Sequence, residues 1–198
     1  MLMKILRSPY FTWFLLAIPS FMMMRGYFSG RIDAHGLLHP SGEFSARAMI
    51  LALFCTPLVV LWPKVKVFRS LMKRRRYIGV AAFGYALLHT LFYLIDEGSF
   101  DAVITEALEL SIWTGWVAFL IFIPLAMTSN DTAVKALGGR KWKNLQRFVY
   151  VAAVLTAAHW LFLEYQVGPL LVHFAPLAIL EAARIWKQSR KPGVTATT

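Results

Sequence analysis

Apolar residues along this chain come in long runs rather than in alternation or on one helical face. The runs lie at roughly Tyr10–Phe28, Phe44–Trp62, Tyr77–Ile95, Leu110–Met127, Phe148–Tyr165 and Pro169–Trp186. A helix needs about 20 such residues to cross the hydrocarbon core of a bilayer, so the pattern predicts six spanning helices. Pro19, Pro57, Pro124 and Pro176 fall inside runs, where neighbouring helices satisfy the carbonyls that a proline leaves free, and kinks are expected there. Lys4 and Arg7 precede the first run as they would in a signal peptide. That run is too long for such a segment, and no small-x-small site follows Met22-Met23-Met24-Arg25, so it is read as a retained helix.

Composition agrees with the pattern. Of 198 residues, 58% are apolar and 16% charged, where a soluble domain has about 45–50% and about 25%. This excess excludes disorder, a collagen and a secreted disulfide scaffold. Six spans would use about 120 residues, which leaves one domain over 1–198 with short connectors and no room for a soluble one. The lone Cys55 excludes a disulfide framework, a CxxC redox pair and a cysteine-ligated metal. The expected fold class is therefore all-α: a polytopic bundle of six transmembrane helices.

Charge sets the expected orientation, because Lys and Arg resist translocation. Of the 21 cations, 18 fall before the first run, between the second and third, between the fourth and fifth, and in the tail. The alternate connectors hold mostly carboxylates, such as Asp33, Asp96, Glu97, Asp101, Glu106 and Glu109. Both termini are thus expected in the cytoplasm. The net charge of +11 suggests nucleic acid at first sight, but the cations flank the runs and Trp62, Trp142 and Trp186 sit among them as in an interfacial belt. Topology and attraction to the lipid bilayer account for the charge, and no nucleic-acid partner is expected.

Two histidines carry the candidate chemistry. His89 and His159 fall inside runs, where hydrocarbon offers no water to their ring nitrogens, and ionisable groups at that depth mark a function by default. His89 lies 13 residues beyond Arg76 and His159 lies 12 beyond Arg147, both on outward-running helices. At 1.5 Å per residue both rings are expected about 18–20 Å from the inner boundary, on one level. Two neutral imidazoles facing each other at one height are what axial ligation of a haem iron requires. Two other readings stay open. Each histidine could bond to another helix with no cofactor, or the pair could recruit His173 and a carboxylate such as Asp96 or Glu164 to zinc, which prefers four ligands. Arg25 and Arg47, expected just inside the outer ends of the first two spans, are candidates for the haem propionates, and Arg47 could equally reach Glu43. His39 and His173 are weaker candidates for an outer site, and His35 is a solvated loop histidine.

The chain resembles the ferric-reductase-like transmembrane domain family, and within it the haem-binding subunits of the periplasmic methionine sulfoxide reductase system. The resemblance covers most of the chain. Its pieces are His39-Pro-Ser-Gly42 with Thr56-Pro57, Arg75-Arg76-Tyr-Ile-Gly79 leading to Leu88-His89, Leu125-Ala-Met-Thr128-Ser129, Leu137-Gly138, Trp142-Lys-Asn-Leu145-Gln146-Arg-Phe-Val149-Tyr150 and Ala158-His159-Trp160. It implies a b-type cytochrome of the bacterial inner membrane with His89 and His159 as haem ligands. It also implies a flavin (FMN) or a quinone as electron entry, and a periplasmic molybdenum-containing methionine sulfoxide reductase as acceptor. One departure matters. The family usually has histidine where this chain has Gln146, 13 residues before His159, and the matching depth on the third span holds Arg76. One haem is expected, not two.

A single outer haem leaves about 20 Å to the inner boundary, which an inner carrier would close. Arg74, Arg75, Arg76, Lys141 and Arg147 are candidates for a flavin phosphate, with Trp142 to stack on a flavin or quinone ring and Gln146 beside them. No GxGxxG or P-loop is present, so NAD(P)H binding is not expected, and the donor would be the quinone pool or a cytoplasmic flavin reductase. Competing readings are a ferric or oxygen reductase that uses the single haem without a partner, and, from another class, a haem-free transporter or assembly protein with proton-relay histidines. The placement of most acidic residues outside the runs, and the lack of a repeat with paired broken helices, weigh against transport.

Overall fold

The computed structural model describes residues 8–164 and 167–190. Among these the chain is all helix, with no strand: α1 Pro9–Phe28, α2 Ala34–Leu61, α3 Lys66–Glu97, α4 Phe100–Glu106, α5 Leu110–Met127, α6 Asp131–Leu137, α7 Gly139–Gln146, α8 Val149–Glu164 and α9 Val167–Ser189. Lys4, Arg7, Lys191 and Tyr165, the expected end of the fifth span, lie outside the described residues.

Helices α1, α2, α4 and α6 start where side-chain chemistry replaces a missing carbonyl. Ser8 caps α1 ahead of Pro9, Asp33 Oδ1 accepts from the Gly36 amide at 2.8 Å, and Ser99 and Asn130 cap α4 and α6. Gly98 and Gly138 end α3 and α6 with φ of 63° and 76°, the left-handed region that a side chain resists. At the far end of α2 the last carbonyls, of Val60 and Leu61, accept from Lys187 Nζ of α9 at 3.0 Å each. A tail cation thus closes a helix C-terminus.

Among the described residues, five segments are long and apolar enough to cross a membrane by length and composition: α2, α3, α5, Gly139–Leu163 (α7 continuing into α8) and α9. The 20-residue α1 is not among them, because Tyr10, Trp13, Ser20, Arg25 and Tyr27 dilute its hydropathy. Two helices run well past their expected bounds. α2 begins at Ala34 instead of Phe44, and α3 begins at Lys66 instead of Tyr77, so the whole Arg74-Arg75-Arg76 run is helical. Hydropathy registers where a helix meets lipid, whereas helicity continues through charged residues until a cap or a glycine stops it.

Packing is dominated by α2 against α3 and α5 against α8, with α9 closing on α2 and α1 on α3. The main core unites Met49, Ile50 and Leu53 of α2 with Ala82, Phe122, Leu125, Ala152, Ala153 and Leu177 from the facing helices. Small residues let the backbones approach, as membrane bundles require. Many large apolar side chains are turned outward as well, with Phe21, Leu120, Val154, Val172 and Ile179 all exposed. That is the reverse of a water-soluble domain. Beside Pro19, the Tyr85 hydroxyl inserts into the α1 ladder. It donates to the Leu16 carbonyl at 2.6 Å and accepts from the Ser20 amide at 3.2 Å, groups that would otherwise bond to each other.

Candidate functional site

The bundle encloses two cavities at successive levels. The first, about 570 Å³, lies between the N-terminal half of α2, the C-terminal halves of α3 and α8, the end of α4, and α5 from Ile112 to Phe122; His89 and His159 both line it. The second, about 630 Å³, lies toward the end of the bundle that carries the basic runs. Phe122 lines both.

In the histidine cavity the two imidazoles meet, with ring centres 6.3 Å apart and planes at 81°. His89 Nδ1 lies 2.9 Å from the Leu38 carbonyl and 3.2 Å from Ser41 Oγ. His159 Nδ1 lies 2.6 Å from the Ser111 carbonyl. A carbonyl only accepts, so both Nδ1 atoms must carry the proton. In the neutral ring each Nε2 then keeps its lone pair, which is the tautomer a metal ligand needs. Glycines make room for the rings. A Cβ on Gly115 of α5 would stand 2.7 Å from His159 Cε1, and one on Gly42 of α2 would stand 3.2 Å from His89 Cε1.

The donor set fits a metal held between two imidazoles. Metal–nitrogen bonds of about 2 Å, with roughly 1 Å from each nitrogen to its ring centre, separate two such rings by about 6 Å. The walls are largely apolar and aromatic, including Ala46, Ala86, Trp116, Phe119 and Leu163, and the volume lies within the roughly 300–1,000 Å³ of cofactor pockets. Zinc fits less well. No three His, Cys, Asp or Glu side chains converge among the described residues, and the side chain of Glu164 lies outside them.

The remaining expected residues divide. His39 lines the histidine cavity with Glu43, whose carboxylate is 4.0 Å from His39 Nε2. His173 does not line it. Its Nδ1 donates to the Pro169 carbonyl at 2.7 Å and its Nε2 accepts from Arg47 Nε at 3.1 Å. Arg47 also donates to Glu43 at 2.5 Å. It sits midway along α2, 13 residues after Ala34, because α2 starts ten residues earlier than its hydropathy indicated. Arg25 is exposed on the last turn of α1. Neither arginine lines the histidine cavity. His35 stands at its edge, bonded through Nδ1 to Asp96 at 2.9 Å.

The second cavity collects Arg75, Arg76, Trp142, Gln146 and Arg147, with Lys143 and Arg184; Arg74 and Lys141 do not line it. Its polar groups are held in place by neighbours. Trp142 Nε1 donates to the Thr128 carbonyl at 2.8 Å, and Gln146 Nε2 donates to the Leu125 carbonyl and to Thr128 Oγ1 at 3.1 Å each. Arg75 donates to Thr56 Oγ1 at 3.2 Å. Arg76 lies 5.3 Å over the Trp142 ring and pairs with Asp131, whose carboxyl is held below the usual aspartate range by that guanidinium.

Sequence reading missed Ser41, Gly42 and Gly115 as supports of the histidines. A glycine inside an apolar helix is the signal that was there, since it marks close approach of a neighbour. It does not say which neighbour.

A family model described as ferric reductase like transmembrane component matches residues 41–157, a stretch that includes His89 and stops two residues short of His159. Over 190 residues the chain is 32% identical to a protein of Azospira oryzae named protein-methionine-sulfoxide reductase heme-binding subunit MsrQ, a match covering 90% of this chain and 78% of that one. Proteins of the same name from Brucella ovis and Brucella canis are 32% identical over 163 residues, which is 79% of this chain and 71% of theirs.

Proposed function

The chain belongs to the ferric reductase-like transmembrane component family, and from that premise we propose that it is a haem-binding, electron-transferring membrane subunit of a methionine sulfoxide reductase system. His89 and His159 hold one haem b in the histidine cavity. The chain crosses the bacterial inner membrane six times, α1 included, with both termini in the cytoplasm. Electrons enter at the arginine cavity from the quinone pool or a cytoplasmic flavin reductase, through FMN or a quinone held there, and leave on the periplasmic side to a molybdenum-containing methionine sulfoxide reductase.

The observation that carries this reading is the pair of imidazoles facing across 6.3 Å, each with Nδ1 committed to a backbone carbonyl. When bound, a haem supplies one-electron chemistry by cycling its iron between two oxidation states. The residues do the rest. The carbonyls of Leu38 and Ser111 hold both rings in the ligating tautomer. Gly42 and Gly115 let the rings approach their neighbours, and Phe119, Phe122 and Leu163 keep the pocket dry. At the other level, guanidiniums and an indole suit a phosphate and a flat conjugated ring. The two levels are in close contact: Phe122 borders both cavities, and Phe119 of the histidine cavity stacks at 5.9 Å on Phe83 of the arginine cavity.

A reduced-minus-oxidised spectrum with pigment extraction tests the reading. The purified chain is expected to show a b-type spectrum with about one haem per chain, and His89→Ala and His159→Ala are each expected to abolish haem loading. Colourless wild-type protein, or haem kept by both variants, would refute it.

A further inference from the structure

The indole of Trp160, the residue after His159, is 8% exposed and lines the histidine cavity, yet its Nε1–H has no acceptor among the described residues. Buried donors are nearly always satisfied, and one that lines a cavity can be met by a water or by a bound group that brings the acceptor. The surroundings define which acceptor. The His39 ring lies 6.5 Å from the indole, and His39 is in turn beside Glu43. The charge of Glu43 is met by Arg47 at 2.5 Å, so this wall, built by α2 and α8, is close to neutral. The α3–α4 wall differs: Glu97, Glu106 and Asp96, the last bonded to His35, border the cavity there. Among the described residues that line the cavity, none is Arg or Lys. A haem carries two carboxylates, which the α3–α4 wall would repel and the Trp160 wall would receive.

We propose that Trp160 Nε1–H donates a hydrogen bond to a haem propionate turned toward the α2–α8 wall, with His39 as its neighbour, and that Arg25 and Arg47 make no such contact. The proposal rests on the haem reading above. Arg47 acts one step away, by neutralising Glu43 so that a carboxylate can lie beside it. A donor on a propionate withdraws part of its negative charge and so favours the reduced, more electron-rich site. Removing the donor favours the oxidised one.

The test uses the haem-loaded, full-length protein in detergent. Trp160→Phe keeps an aromatic ring and removes the N–H. It is expected to retain haem and its six-coordinate spectrum, to shift the propionate bending band in the resonance Raman spectrum, and to lower the midpoint potential by a several-fold change in the oxidised-to-reduced ratio. Trp160→His returns an N–H and is expected to bring band and potential back toward wild type, while Arg25→Ala moves neither. An unmoved band and potential in Trp160→Phe, or a band that moves in Arg25→Ala instead, overturns the proposal while leaving the haem reading intact. Should Trp160→Phe lose its haem, Trp160→His decides, a native band supporting the proposal and a displaced one overturning it. Wild-type protein without haem removes the underlying reading and the proposal with it.

Discussion

The two cavities share helices α2, α3, α5 and α8 but hold their polar groups in different ways. Around His89 and His159 the important bonds run from side chain to backbone: Leu38 and Ser111 carbonyls each fix one ring nitrogen, and glycines set the distance of approach. Around Arg75, Arg76 and Arg147 the charges are many and are held by other side chains such as Thr56 and Asp131. Metal ligation is directional, so a site for it must fix ring orientation to within a fraction of an ångström, which rigid helix backbone does well. Anion binding depends mainly on summed charge, which falls off slowly with distance and tolerates flexible side chains. The first site should therefore fail sharply on small steric changes, and the second gradually as charge is removed.

The largest effect should come from the tightest approach. Gly115→Ala puts a methyl 2.7 Å from the His159 ring, so the ring must move, and haem content is expected to fall at least tenfold with loss of the low-spin spectrum. Gly42→Ala meets His89 at 3.2 Å and should lose only part of its haem. Equal loading in Gly115→Ala and wild type would break the contrast drawn between the two sites. Next in size, Arg75→Glu with Arg147→Glu should weaken flavin or quinone binding about 10- to 100-fold, as expected when charge-assisted contacts of roughly 1.5–3 kcal/mol are lost. The haem spectrum should not change. Fluorescence of extracted flavin and donor-driven haem reduction would check this, and unchanged values for both would remove the arginine cavity from electron entry. The smallest effect is expected from Gln146→His. It puts an imidazole at the second level, but Arg76 lines the same cavity and no other histidine does, so pigment extraction should still give one haem per chain. A value near two would show that one new imidazole completes a second site.

Some of this was legible before any coordinates. The level of the histidine pair followed from residue counts alone, because two outward-running helices that start from basic clusters reach a given depth after nearly the same number of residues. The arginine cavity was mostly legible too: Arg75, Arg76, Trp142, Gln146 and Arg147 do share one space. Arg74 and Lys141 fell outside it because consecutive residues on a helix point about 100° apart, so a run of cations cannot all face one cavity. Arg47 stands midway along α2 because the helix begins ten residues before its apolar run, in residues that are helical without forming such a run.

What the sequence by itself determined is the class of object: a chain whose apolar runs can only be satisfied as helices in lipid, with two imidazoles at one depth and guanidiniums gathered at another. The tertiary structure decided how those groups are used. Which carbonyl meets each Nδ1, which glycine faces each ring, and which indole is left without an acceptor all depend on the neighbour and rotation of each helix. A run of apolar residues is nearly the same on every face, so it holds almost no information about rotation, and packing between helices had to supply it.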